Sequence, residues 1–158
     1  MPRDARITAE NACYHIITRG NQKQLVFKDD RDCQKYLSLL NKYKKHYKFK
    51  LYCFCLMPNH VHLLIQVKKQ ETLNKIMRSL NLSYTLYFNS KYEKVGHLWQ
   101  DRYKSKIIEK DSYLLECINY IEANPVRASL VSHIDKYPWS SYNFKATPDS
   151  ILDNLFSL

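Results

Sequence analysis

No stretch of this 158-residue chain is apolar for long enough to cross a bilayer as a helix. The opening residues, Met1-Pro2-Arg3-Asp4, lack the apolar segment of a signal peptide. There is no internal repeat and no low-complexity linker. Cysteine does not occur in a paired pattern: Cys13, Cys33, Cys53, Cys55 and Cys117 are odd in number and lie mostly inside apolar periodic segments. They read as reduced core thiols, not as a disulfide framework. These absences exclude membrane-spanning helices, repeat arrays and disulfide-stapled scaffolds. They predict a cytoplasmic protein folded as one domain over residues 1–158, with about 143–158 as a C-terminal tail. Acidic residues are also short: 15 Asp and Glu stand against 25 Lys and Arg, for a net charge of +10 and a pI near 9.3. A polyanionic partner suits that imbalance. Thirteen tyrosines add rings that can stack on unpaired bases, although tyrosine serves cores and strands equally well.

The most telling run is Leu56-Met57-Pro58-Asn59-His60-Val61-His62-Leu63-Leu64-Ile65. Its bulky apolar residues favour a strand, and Pro58-Asn59 supplies the turn that launches it. Residues i and i+2 of a strand share a face, so His60 and His62 project side by side. Two imidazoles on one rigid face form half of a metal site. The plainer alternative leaves one histidine exposed and the other satisfied in the core.

Along the chain, Cys13 to Thr18 reads as a first strand, and Asp29-Asp30 caps a helix through about Tyr47. Phe49 to Leu56 and His60 to Val67 read as antiparallel strands, and Glu71 to about Tyr92 as a second helix. A fourth strand is expected near Tyr103 to Glu109. A third helix follows, capped by Asp111-Ser112 and ended by Pro125. The order predicts an α+β fold, the ferredoxin-like split β-α-β-β-α-β with an antiparallel sheet, helices on one face and an extra C-terminal helix. In the tail, Ile151, Leu152, Leu155 and Phe156 suit a short packing helix.

On the third helix Leu114, Leu115, Ile118 and Ile121 make the apolar side. Tyr120 and Asn124 stand at i and i+4, stacked one above the other. They present either a phenol and an amide beside the histidine strand, or a packing residue and a helix end before Pro125.

Five segments in order carry a family resemblance. They are Tyr14-His15-Ile16-Ile17-Thr18-Arg19-Gly20-Asn21, Met57-Pro58-Asn59-His60-Val61-His62-Leu63-Leu64, and Gly96-His97-Leu98-Trp99-Gln100-Asp101-Arg102-Tyr103-Lys104-Ser105. Tyr120-Ile121-Glu122-Ala123-Asn124-Pro125-Val126-Arg127-Ala128 and Tyr137-Pro138-Trp139-Ser140-Ser141-Tyr142 complete them. The chain resembles single-tyrosine transposases of the HUH nuclease superfamily, and is most similar to the REP-associated tyrosine transposases. The resemblance implies His60, His62 and Asn124 as ligands of Mg²⁺ or Mn²⁺, and Tyr120 as the nucleophile. It further implies metal-dependent cleavage and rejoining of single-stranded, hairpin-flanked DNA through a covalent 5′-phosphotyrosine. Ser129 departs from the family pattern, where relatives commonly carry glycine.

The residue types suit that chemistry. A phenol is only ~0.1% ionised at neutral pH and needs help as a nucleophile. Neutral imidazole and amide ligands leave a divalent cation its full charge for phosphate oxygens. Arg19, Trp99, Arg102, Lys104 and Arg127 are the candidate DNA contacts, the Gly96 segment being flanked by basic residues. Two rivals stay open. Cys53 and Cys55 opposed to His62 and His60 would make a Cys₂His₂ zinc site, and a domesticated chain would bind structured DNA or RNA without cutting it. Relatives allow either a monomer or a homodimer that exchanges tyrosine helices.

Overall fold

A computed structural model of the chain describes residues 10–109, 112–144 and 150–154. The elements run β1 (Ala12–Arg19), α1 (Asp30–Tyr47), β2 (Lys50–Met57), β3 (His60–Val67), α2 (Gln70–Tyr92), β4 (Lys104–Ile108), α3 (Ser112–Glu122) and α4 (Asn124–Arg127). The strands form one antiparallel sheet in the order β2-β3-β1-β4. That is the α+β, split β-α-β-β-α-β plan expected from the sequence.

Strand periodicity sorts the side chains into two layers. Tyr14 and Ile16 of β1 and Val61, Leu63, Ile65 and Val67 of β3 face α1 and α2, where Tyr36, Leu40, Ile76, Leu80 and Tyr84 fill the main core. The opposite parity carries Cys13, Cys55, Met57 and Leu64 against Leu114, Cys117, Ile118 and Ile121 of α3. The helices are therefore not all on one face: α1 and α2 cover one side, and α3 covers the other. A register shift between Leu51 and Cys53 turns both Tyr52 and Cys53 toward α3.

α3 does not run to Pro125. It stops at Glu122, and Asn124–Arg127 forms a separate short turn with Pro125 at its start. Proline lacks an N–H, but the first turn of a helix leaves that donor unused, so Pro125 begins α4 instead of ending α3. The expected tail helix is also absent from residues 150–154, which carry no regular helix, while Leu155, Phe156 and Asp111 lie outside the described residues. Ile151 and Leu152 nonetheless pack on the main core. Their neighbour Asp153 accepts from Leu51 N at 2.9 Å and donates its own N–H to Leu51 O at 2.7 Å. Further along β2, Leu56 N donates to Trp139 O at 2.8 Å. The C-terminal segments thus cover the exposed edge of β2 and block pairing with another chain.

Asp29 caps α1 as expected, accepting from Asp32 N at 3.0 Å. Asp32 is fully buried. Its carboxylate accepts from Lys28 N, Tyr87 Oη, Lys91 Nζ and Tyr92 Oη at 2.5–2.9 Å, which ties the start of α1 to the end of α2. Burial alone would raise the Asp32 pKa, but the bonds from Lys91, Tyr92, Lys28 and Tyr87 outweigh it and hold the carboxyl below its ordinary value. A carboxyl with a depressed folded pKa stabilises the fold above its unfolded pKa, and that contribution is lost as pH falls through the folded value. Asp32→Asn is expected to cost about 3 kcal/mol at pH 7, because it leaves a buried donor network without its charge. The urea midpoint should fall with an unchanged slope, and the gap from wild type should close below about pH 4.

Candidate active site

Two strands and two helices meet at one cluster on the α3 side of the sheet. β3 places His60 and His62 on that face, with ring centroids 5.0 Å apart. The tight Pro58-Asn59 link fixes their register, since Met57 and His60 are paired partners across the β2–β3 hairpin. Gly20 lets the end of β1 approach this turn. Its N–H donates to Asn59 O at 2.8 Å, and a Cβ there would lie 2.4 Å from Gln24 O. Tyr120 projects from α3 with its ring centroid 6.4 Å from that of His62, and is 52% exposed where His62 is 2%. Asn124, at the start of α4, directs its amide Nδ2 to His62 Nε2. The break at Ala123 separates the two expected partners onto different helices, yet both still reach the histidines.

One residue without an assigned role in the sequence joins them. His15 of β1 lies with its Nε2 2.9 Å from His62 Nδ1, the two rings stacked at 5.2 Å, and its ring centroid is 6.1 Å from that of Tyr120. The neighbouring His60 has its Nδ1 2.7 Å from Asn59 Oδ1. Asn59 therefore orients one histidine and His15 the other. The signal for His15 was its place in the first of the matching segments, but which strand it faces depends on sheet order.

Burial lowers the pKa of all three imidazoles: His15 to about 4, with Lys106 adding to the effect, and His60 to about 4, with Arg19 adding. His62 falls furthest, to about 2, through burial first and then His60, His15, Arg19 and Arg127. At neutral pH the rings are uncharged, the form in which imidazole ligates a metal. Bonds at Nδ1 leave the Nε2 atom of His60 for that purpose, while the Nε2 of His62 faces the Asn124 amide. Among the described residues no group of three or more His, Cys, Asp or Glu is arranged to hold a metal ion, so a third protein ligand here has to come from another residue type. The Asn124 amide lies beside His62 with its Nδ2 toward Nε2, and only its Oδ1 could serve as such a ligand. This donor set fits Mg²⁺ or Mn²⁺ better than a thiolate-bound metal.

The zinc alternative fails on register. Cys55 pairs with His62, but Cys53 pairs with Leu64, and it is Met57 that stands opposite His60. Cys53 instead contacts Ile118 O and Ser141 Oγ, and burial drives the Cys55 thiol up to about 12, Glu122 adding to the rise and Arg127 opposing it.

Of the candidate DNA contacts, Arg19, Arg102 and Lys104 gather with Ile17, Gln100 and Asp101 around a cavity of about 90 Å³. Arg127 is exposed, with its guanidinium 3.9 Å above the centre of the Tyr120 ring and Nη2 donating to Tyr120 O at 2.7 Å. Trp99 requires a correction. It is 8% exposed, packed 6.0 Å from Tyr84, with Nε1 donating to Asn81 O at 3.4 Å. Its ring is spent on the main core and is not available to stack on a base. It anchors the loop that delivers Gln100, Asp101 and Arg102, and Gln100 N donates to Arg19 O at 2.8 Å. On the other side of Tyr120 runs an open groove of about 660 Å³ whose lining includes His15, Lys106, Glu109, Tyr113 and Glu116.

Ser129, the departure from the family pattern, follows α4 with φ of 59°. That left-handed conformation favours glycine, so serine here carries a local backbone cost of roughly 1 kcal/mol. It follows α4, beyond Asn124, and His60, His62, Tyr120 and Asn124 are all present.

Comparison with known proteins agrees with this geometry. The family described as Transposase IS200 like matches residues 8–124, which include every residue of the cluster. A protein of Haemophilus influenzae assigned as a REP-associated tyrosine transposase is 30% identical over 110 residues, 63% of this chain. The match spans 62% of that relative's own length. A solved structure of a REP-associated tyrosine transposase bound to a REP hairpin aligns with a TM-score of 0.76 at 16% identity, over 100% of this chain and 95% of that one. A structure assigned to a transposase of Deinococcus radiodurans R1 aligns at 0.51 and 19% identity, over 77% and 95%. Both structural likenesses show a shared fold. With the family match covering most of its length, this chain belongs to the IS200-like transposase family.

Proposed function

We propose that this chain is a DNA strand transferase that cuts and rejoins single-stranded, hairpin-flanked DNA through Tyr120. The observation that carries the reading is one arrangement: an exposed phenol beside two neutral histidines, with an amide at the Nε2 of His62 and an arginine over the phenol ring. Tyr120 Oη attacks phosphorus, a P–Oη bond forms, and the P–O3′ bond breaks. The phenolic proton is released and the departing 3′-oxygen ends as a hydroxyl. The covalent 5′-phosphotyrosine is still a diester, so the energy of the broken bond is kept. Attack by a second 3′-hydroxyl reverses the exchange and frees Tyr120, which is why one tyrosine suffices.

The chain's own groups divide the remaining work. His60, His62 and Asn124 are the residues to hold Mg²⁺ or Mn²⁺, which supplies Lewis acidity toward the phosphate when bound. Asn59 and His15 hold the two rings in place. Arg127 sets a positive charge beside the nucleophile, and Arg19, Arg102 and Lys104 extend it along the strand's path. The hairpin part of the reading is supported by the related protein whose structure was solved with one.

The chain is expected to bind many DNAs weakly, with affinity falling steeply as salt rises, because its charge releases counterions from any phosphate backbone. Cutting should demand more. A flexible strand can bring its phosphate between β3 and α3, whereas a duplex has to be unstacked at a few kcal/mol per step. Incubating matched end-labelled substrates with Mn²⁺ should therefore give cleavage of the hairpin-flanked single strand and none of the perfect duplex. Equal cutting of both, or binding to both without any cutting, contradicts the proposal; the second result is that of a domesticated binder.

A further inference from the structure

We infer that the groove beside Tyr120 seats a base close to the cut, with Tyr113 as its stacking platform and Glu116 as the group that reads it. The base favoured is one whose open edge donates hydrogen bonds. This rests on the strand-transfer reading of Tyr120, and it names side chains that would make that reaction selective. The groove, of about 660 Å³, is walled by β4 and α3, with His15 of β1 between them. Tyr120 itself belongs to the lining, so a strand whose phosphate meets its Oη brings an adjoining nucleotide to the groove.

The two walls do different work. On β4, Ile107 packs toward α1 and α2 and Ile108 toward α3, so strand alternation puts Lys104 and Lys106 on the α3 side, about 7 Å apart. Lys106 pairs with His15 and lines the groove, while Lys104 lines the recess with Arg19 and Arg102. This lysine row carries the positive track from the arginine recess into the groove. On α3, Tyr113, Glu116 and Tyr120 fall at i, i+3 and i+7, so they share one face, and all three are exposed. Among the described residues Glu116 has no ion-pair partner. Glu109, just past β4, adds a second carboxylate to the lining. A carboxylate repels phosphate, so the backbone keeps to the lysines and the base turns toward α3. There the Tyr113 ring offers a face to stack on, over a floor that includes the buried Cys117. Tyr113 and Tyr120 are about 10 Å apart along the helix, which places the base within about three stacked nucleotides of the cut.

Glu116 can only accept, and on an unpaired strand the Watson–Crick edge is open to it. Guanine presents N1–H and N2–H side by side, one for each carboxylate oxygen. Cytosine and adenine each present one amine. Thymine has a single N–H between two carbonyl oxygens and fits worst. Gln at position 116 would both donate and accept, so it would no longer choose.

The test has two arms, both on the full chain. In the first, the protein is irradiated with a hairpin-flanked single strand carrying 5-iodocytosine, scanned one position at a time through the flank. Mass spectrometry of the crosslinked peptides should find Tyr113 joined from one position. In the second arm, wild type and Glu116→Gln are compared on four strands that differ only in the base at that position, by kcat/KM for cutting and by affinity. Wild type should favour guanine over thymine by about 10–100-fold. In Glu116→Gln the ratio should shrink to within about 3-fold, with the thymine strand handled at least as well as by wild type. A merely structural role for Glu116 would not produce that gain. Crosslinks that avoid Tyr113 at every position overturn the inference, and so do equal base ratios in the two proteins. A Tyr113 crosslink with the expected affinity ratios, in a chain that cuts none of the strands, supports the base site and sinks the strand-transfer reading instead.

Discussion

Tyr120→Phe is expected to abolish covalent attachment to DNA, by at least about 1,000-fold, while DNA affinity and the urea midpoint stay at the wild-type level. The substitution removes one oxygen from a side chain that is already half exposed, so neither packing nor charge changes. The Arg127 contact to the ring face and to the backbone oxygen survives in phenylalanine. What disappears is the only part of the residue able to bond to phosphorus. Tyr113 is the natural rival, because it is 57% exposed and lines the same groove about two turns earlier on the same face of α3. Gel-resolved adducts formed on a labelled single strand distinguish them. Adducts that persist in Tyr120→Phe and vanish in Tyr113→Phe would take the role from Tyr120.

The second large effect falls on the strand histidines. His60→Ala and His62→Ala should each reduce cutting by about 100-fold or more, and chelation should do the same to wild type. His62 is buried, so its removal also leaves Asn124 and His15 without their shared partner, and His62→Gln serves as a better-packed companion variant. Circular dichroism and the urea midpoint separate lost chemistry from lost fold. Cys53→Ala and Cys55→Ala, by contrast, should leave cutting unchanged, because neither thiol is placed opposite His60. Stoichiometric zinc in the purified protein that disappears with those cysteines would reverse the assignment.

The parts of this fold written in local pattern were readable before the structure. Alternating apolar residues located β3 and put His60 and His62 on one face, and the Asp29 cap marked the start of α1. Tyr120 was recognisable as a candidate because it shares a helix with an apolar face on Leu114, Ile118 and Ile121. Features that depend on distant pairing were not readable. His15 touches His62 only because β1 lies beside β3 in the sheet, which no local spacing reveals. Trp99 sits among basic residues in sequence, yet its ring turns inward to Tyr84 across a loop whose path the sequence does not show. The break at Ala123 was hidden because Pro125 marks a helix boundary without saying whether one helix ends or another begins. The cysteine alternative needed the β2 register shift and its pairing to be decided.

The most direct test of the central claim is to trap the reaction and locate the bond. The full chain, a hairpin-flanked single strand and Mn²⁺ are incubated, the protein is digested, and the DNA-linked peptide is sequenced by mass spectrometry. The account predicts one linked residue, Tyr120, joined to the 5′-phosphate of the downstream fragment, with a free 3′-hydroxyl on the other. Cleavage products with no protein attached, or a link at Tyr113 or at any histidine, would contradict it.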